Sequence, residues 1–180
     1  MDYKDLIKNW HNKASDEDYF SKFVFEYLAF IAHLKTQLFH SNDTDRNAIQ
    51  KLKQNSTIKN DYLNRIQAKS SLSGDWNRIK IELESGRLGN LSRNLTNVDE
   101  FKWWNCSYNR LEQQTEEEKS KLKGVIHLFS DWENMVEFWY SIRNNLFHGA
   151  KDPEKERDQF VVKYGYKTLK ELMEMLLYDE

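Results

Sequence analysis

The sequence is poor in cysteine, proline and glycine, with one Cys, one Pro and six Gly in 180 residues. A single thiol, Cys106, excludes an intramolecular disulfide and suits a reducing compartment. So little Pro and Gly leaves few tight turns and argues for long, uninterrupted helices. No apolar run is long enough to cross a bilayer. The first residues, Met-Asp-Tyr-Lys-Asp-Leu, lack the basic-then-apolar pattern of a signal peptide. The expectation is a soluble cytoplasmic protein. A strong net charge is also lacking: at −2 the chain as a whole does not attract nucleic acid. There is no glycine-rich phosphate loop, Cys-x-x-Cys pair, nucleophile elbow, metal-ligand cluster or internal repeat. Neither a cofactor nor a metal is therefore expected.

Apolar and aromatic residues are plentiful. Hydrophobic residues make up 39% and aromatics 14% of the chain, including six Trp, enough for a packed core. The length fits one domain over residues 1–180, or one domain with an insertion. Charge is uneven along it. Arg46 to Lys102 holds eleven Lys or Arg against six Asp or Glu, a balance of +5, so the remainder carries −7. A basic middle on an acidic frame reads either as a phosphate-backbone surface or as a solvated polar insertion.

The strongest helical pattern runs from Tyr19 to Phe39, behind a start signal at Ser15-Asp16-Glu17-Asp18 read as a Ser cap with acids in the first turn. Phe20, Phe23, Val24, Tyr27, Leu28, Ile31, Leu34 and Leu38 form one face, with Phe25, Phe30 and Phe39 off it. Such a helix is buried on several sides, at the bundle centre or in a subunit interface. Glu26 is the odd residue among these aromatics. It is either a buried acid orienting a functional side chain or an edge residue reaching water or Lys22. His33 and His40 read as helix-surface and helix-end residues.

Ser41 to Thr44 reads as a turn and cap, and Arg46 to Lys69 as weakly amphipathic helix with a break at Asn55-Ser56-Thr57. Ser70 to Gly74 reads as a loop, followed by a short helix from Asp75 to Glu84. Least order is expected between about 41 and 100. Gly86 to Thr96, rich in Gly, Asn and Arg, reads as a flexible loop or a phosphate contact. Phe101-Lys102-Trp103-Trp104 either plugs a core edge or stacks on bases. A helix starts near Thr115, and His127 within it reads as structural.

From Trp132, apolar residues recur at Met135, Val136, Trp139, Ile142 and Leu146, the one-face signature of an amphipathic helix. Gly149 stands where helices commonly exit, and Pro153 cannot continue the helix. His148 then falls in the last turn, where unpaired carbonyls favour a protonated imidazole. Arg143 borders the apolar face. Five residues apart on a regular helix, Arg143 and His148 differ by about 140° around the axis and about 7.5 Å along it. They flank a site unless the last turn is distorted or a second chain completes it. After this break, Asp152-Pro153-Glu154 reads as the opening of the last helix, with a stripe of Val161, Thr168, Leu169, Leu172, Met173, Leu176 and Leu177.

Arg-His spacing by itself is not specific. The surroundings are more so: Arg143, polar Asn144, then Phe147-His148-Gly149, with Lys151, Pro153 and Arg157-Asp158 downstream. This run resembles the HEPN superfamily, most clearly over about Asp131 to Leu177 and in outline over Tyr19 to Phe39. The resemblance implies an all-α, HEPN-like helical bundle with core helices at about 18–40, 116–148 and 153–178; nothing in it matches about 41–100, which reads from its composition as a polar, basic helical insertion. It also implies a homodimer that places two Arg/His pairs across a cleft. The implied activity is a metal-independent endoribonuclease, of the kind used as toxins or phage-defence effectors. Arg143 and His148 take the catalytic positions and Asn144 the polar position after the Arg. Lys151 and Arg157 either contact phosphate or pair with Asp152 and Asp158 on the surface, and Glu26 is a possible supporting acid. Expected partners are RNA, a second copy of the chain and an antitoxin such as a nucleotidyltransferase.

The residue types suit that chemistry. Attack of a ribose 2′-hydroxyl on the adjacent phosphorus needs proton transfer and a cation for the developing charge. A His titrates near neutrality, and an Arg presents a fork matched to phosphate oxygens. The other readings are a HEPN-like RNA- or nucleotide-binding module without turnover, and a helical assembly or regulatory protein.

Overall fold

The computed structural model describes residues 3–14, 18–40, 44–84, 131–147 and 151–178, and among these it is all-helical. Seven α-helices are described: α1 (Tyr3–Lys13), α2 (Tyr19–His33), α3 (Asp45–Gln54), α4 (Ser56–Ala68), α5 (Ser70–Glu84), α6 (Trp132–Phe147) and α7 (Glu156–Tyr178). A π-helical segment, Leu34–Leu38, prolongs α2. No helix among the described residues is long and apolar enough to cross a membrane.

Side-chain caps set the starts of α2, α3 and α4. Asp18 caps α2: one carboxylate oxygen accepts from the Phe20 N–H at 2.8 Å and the Ser21 N–H at 3.2 Å, while the Ser21 hydroxyl donates to the other. Asp18 is thus the cap, where Ser15 was expected. A side-chain oxygen there satisfies N–H groups that no helical carbonyl reaches. Thr44 caps α3 through the Asn47 N–H, within the turn and cap cluster expected there. Asn55 breaks the next run and caps α4 through the Ile58 N–H at 3.0 Å. The last helix starts later than expected. Residues 152–155 form a turn closed by the Lys155 N–H on the Asp152 carbonyl, and α7 begins at Glu156.

Ser70 to Gly74, expected as a loop, is the first turn of α5. Leu72, in that turn, lies on the same side as Trp76 and Ile79, and all three are buried. Burial of that stripe outweighs the weak helix propensity of Ser and Gly.

α2 packs against α1 on one side and α7 on the other, with α6 also touching it. α3 lies on α6, and α4 and α5 close the bundle against α7. Gly165 of α7 permits a close approach: a Cβ there would come within 2.5 Å of Ile142 and 3.2 Å of the Phe23 ring. The centre is aromatic. Trp139 sits against Phe30, Tyr62, Trp76 and Trp132 at centroid separations of 5.7 to 6.3 Å. Each of the three indole N–H groups has an acceptor: Trp139 on the Thr168 hydroxyl, Trp76 on the Tyr62 hydroxyl and Trp132 on the Leu52 carbonyl. Tyr62 in turn donates to the Thr168 carbonyl at 2.7 Å. Large aromatics bring most of the buried area, and their polar atoms are satisfied.

The part of the basic middle that is described, residues 45–84, is therefore a wall of the core. It buries Ile49, Leu52, Tyr62, Ile66, Trp76 and Ile79. Four of its cations meet carboxylates of the acidic frame. Arg46 and Lys53 both meet Glu137 of α6, and Arg65 and Lys69 meet Glu171 of α7. Asp75 of α5 accepts from Lys167 at 3.1 Å. The opposite charges of middle and frame are thus in good part matched within the chain. The part of the expected 116–148 helix that precedes residue 131 lies outside the described residues, as do Gly86 to Thr96 and Phe101 to Trp104.

Candidate active site around Arg143

α6 buries Trp132, Met135, Val136, Trp139 and Ile142, the stripe expected from their spacing. Arg143 follows Ile142 at the border of that stripe and is half-buried. Its guanidinium is held from four sides. Nη2 donates to Asp45 Oδ2 at 3.3 Å and Nη1 donates to Asn144 Oδ1 at 3.0 Å. The Phe147 ring lies 4.7 Å from the guanidinium carbon and the Tyr27 ring 5.9 Å, within cation–π range. A planar cation between two rings and two oxygens is oriented as well as charged.

Asp45 is the first residue of α3, next to the Thr44 cap, and its other oxygen accepts from Lys35 at 3.3 Å. One carboxylate therefore bridges two cations from different elements. The Arg143, Asp45 and Lys35 side chains keep 28%, 29% and 31% of their surface, so a ligand can reach all three. Behind them the Tyr27 hydroxyl is buried and has no hydrogen-bond partner among the described residues. Burial pushes its pKa up, against the opposing pull of Arg143, so it stays a neutral phenol able to donate. The arrangement offers two cationic donors and an exchangeable carboxylate, which suits an oxyanion such as phosphate.

The other expected site residues are placed as follows. His148 lies outside the described residues, as do Gly149 and Ala150. Asn144 joins Arg143 directly. Lys151 is tucked away: its side chain is 1% exposed and its ammonium donates to Asp158 at 2.7 Å. Of its two readings, phosphate contact or an ion pair, the observed one is the pair with Asp158, inside the protein instead of on its surface. Burial lowers the Lys151 pKa while Asp158 raises it back in part. Burial alone would raise the Asp158 carboxyl. The Asp152 N–H, the Lys151 ammonium and nearby Arg157 pull it below the ordinary value. Arg157 is half-buried beside this pair.

Glu26 is fully buried, as one of its readings had it, but its partner is His11 of α1 and not Arg143. The His11 Nδ1 to Glu26 Oε1 distance is 2.7 Å, and Oε2 has no partner among the described residues. Burial pushes the Glu26 carboxyl up, more than His11 pulls it down. The reason is topological: α1 lies antiparallel along α2 and covers the Glu26 side with His11.

Sequence reasoning missed Asp45, Lys35 and Tyr27 as neighbours of Arg143. Asp45 and Arg143 are separated by 98 residues, and no local pattern links them. The one available signal was an acid directly after a helix cap, which is common without any function. No family model, no curated protein and no solved structure matches this chain.

Proposed function

We infer that the chain is a HEPN-like endoribonuclease that cleaves RNA without metal, by attack of the ribose 2′-hydroxyl on the adjacent phosphorus. The observation that carries this reading is the oriented, solvent-reachable guanidinium of Arg143 near the C-terminal end of α6, five residues before His148 in the run Arg-Asn-Asn-Leu-Phe-His-Gly. In the proposed step Arg143 binds a non-bridging phosphate oxygen, displacing Asp45, and stabilises the charge that grows on the phosphorane. His148 takes the 2′-hydroxyl proton, the oxygen forms the new bond to phosphorus, and the 5′-oxygen leaves with a proton. One imidazole cannot give and take at once, so a second copy of the chain supplies the acid, which makes a homodimer part of the proposal. A toxin or phage-defence role, with an antitoxin partner such as a nucleotidyltransferase, follows from the same resemblance.

The test is incubation of RNA with the protein in chelator, beside His148→Ala and Arg143→Ala. Cleavage by the unaltered protein, lost in both variants and absent on DNA of the same sequence, is expected. Cleavage unchanged in His148→Ala sinks the assignment. A second reading has one observation in its favour: Asp45 already neutralises Arg143. A nucleotide- or RNA-binding module without turnover would use the same guanidinium, and RNA retained intact by the protein would support it.

A further inference from the structure

At the far end of α2 from its Asp18 cap lies a cavity of about 440 Å³, bounded by α1, the π-helical segment and the last turns of α7. It falls within the range of small-molecule sites, roughly 300–1,000 Å³. Its apolar lining is aliphatic: Ile7 of α1, Leu38, and Leu176 and Leu177 of α7. No Phe, Tyr or Trp ring and no carboxylate occurs among the described residues that line it. Lys4 and Lys8, one turn apart on α1, line it together with His33, Gln37 and His40.

Two backbone irregularities shape this cavity. α2 widens into π-helix over Leu34–Leu38, where the Phe39 N–H reaches the Leu34 carbonyl at 2.9 Å. Such widened turns recur at functional sites because they re-aim side chains that an α-helix would stack. Here the widened turn contributes Gln37 and Leu38 to the lining. His40 then adopts a φ of 45°, the one non-glycine residue with positive φ among the described residues. That conformation costs a β-carbon-bearing residue about 1 kcal/mol or more. It sets His40 at the cavity rather than further along the helix.

We propose that this cavity binds a small amphiphilic anion, with its aliphatic body against Leu38, Leu176 and Leu177 and its acidic head at Lys8 and His40. The floor excludes water from an alkyl chain but offers no face on which a flat ring could stack. No carboxylate among the described lining residues opposes an acidic head, and Lys ammonium groups bind phosphate or carboxylate as point charges. The head can be a carboxylate or a phosphate monoester, so the probes include both.

The experiment is calorimetric titration of the full chain with octyl phosphate, octanoate, octanol and inorganic phosphate at one pH and low salt. Both octyl anions are expected to bind at least tenfold more tightly than octanol or phosphate alone. Preference between them identifies the head. Lys8→Glu, an exposed position, should weaken octyl phosphate at least tenfold. His40→Asn, which tolerates the same backbone conformation, should weaken it severalfold. Unchanged thermal unfolding of each variant excludes loss of fold as the cause. Octanol binding as well as octyl phosphate, indifference to Lys8→Glu, or no binding by any octyl probe each overturns the proposal. None of these outcomes bears on RNA cleavage, because the cavity shares no lining residue with the Arg143 cluster.

Discussion

Two Asp–cation pairs flank the end of α6 and differ in almost everything but chemistry. Arg143–Asp45 spans 3.3 Å with both side chains more than a quarter exposed. Lys151–Asp158 spans 2.7 Å with side-chain exposures of 1% and 6%. Water screens the first pair, so its net contribution to stability is about 0–1 kcal/mol and a phosphate can replace the carboxylate. The second pair has lost its water, and neither partner can be removed without stranding the other. Similar residue types a few positions apart therefore do opposite work. One holds a cation where a ligand can claim it, and the other anchors the chain between α6 and α7. The buried pair His11–Glu26 falls on the anchoring side as well.

That contrast can be broken in four ways, taken from the largest effect down. Asp158→Ala should cost about 3–5 kcal/mol in urea or guanidinium unfolding at neutral pH, since Lys151 is left buried without a counter-charge. The Asp158 carboxyl is held below its ordinary value, so this contribution is present above the ordinary Asp range and is lost as pH falls through the lowered folded value. Asp158→Asn should thus approach wild-type stability as the solution is acidified, and a gap independent of pH would deny the pair its role.

Next is Arg143→Ala. It should change unfolding free energy by no more than about 1 kcal/mol, while cleavage of RNA, on the reading proposed above, falls by about 100-fold or more. A large loss of stability would move Arg143 into the anchoring class. Glu26→Gln should cost about 1 kcal/mol at acid pH. The sign of its pH dependence is opposite to that of Asp158. Burial raises the Glu26 pKa, so the folded chain keeps a proton that the unfolded chain releases, and wild-type stability falls as pH rises through the interval between the two values. The Gln variant lacks that fall, so the gap should narrow on going to neutral pH. Smallest is Gly74→Ala on the exposed side of α5, with nothing within 4 Å of the added carbon. It should gain about 0.5–1 kcal/mol through helix propensity alone, which shows how little a position outside both pairs can move the fold.

Much of the helical architecture was legible from residue spacing. Trp132, Met135, Val136, Trp139 and Ile142 are buried where their steps of three and four put them. The Tyr19–Phe39 run is one continuous helical element packed on two sides. What spacing did not reveal was the weight of residues 45–84. Their buried positions, such as Leu52, Tyr62, Ile66 and Trp76, are spaced among polar neighbours, so average hydrophobicity reads as a solvated insertion. Likewise Ser70 to Gly74 looks like a loop by propensity, yet Leu72 is drawn into the core and takes the turn with it. Of the candidate site, the Arg143–Asn144 contact was local and readable. Asp45, Lys35 and Tyr27 come from other helices, and His11 entered no expectation before α1 was seen lying on Glu26.

By itself the sequence determined the all-helical character and the identity of the cations, because helix formation depends on neighbours within a turn or two of the chain. Tertiary structure decided which of those cations meets a carboxylate in water and which meets one in the dark. Burial depends on what other helices cover a residue, and nothing within a few positions of Arg143 or Lys151 encodes that.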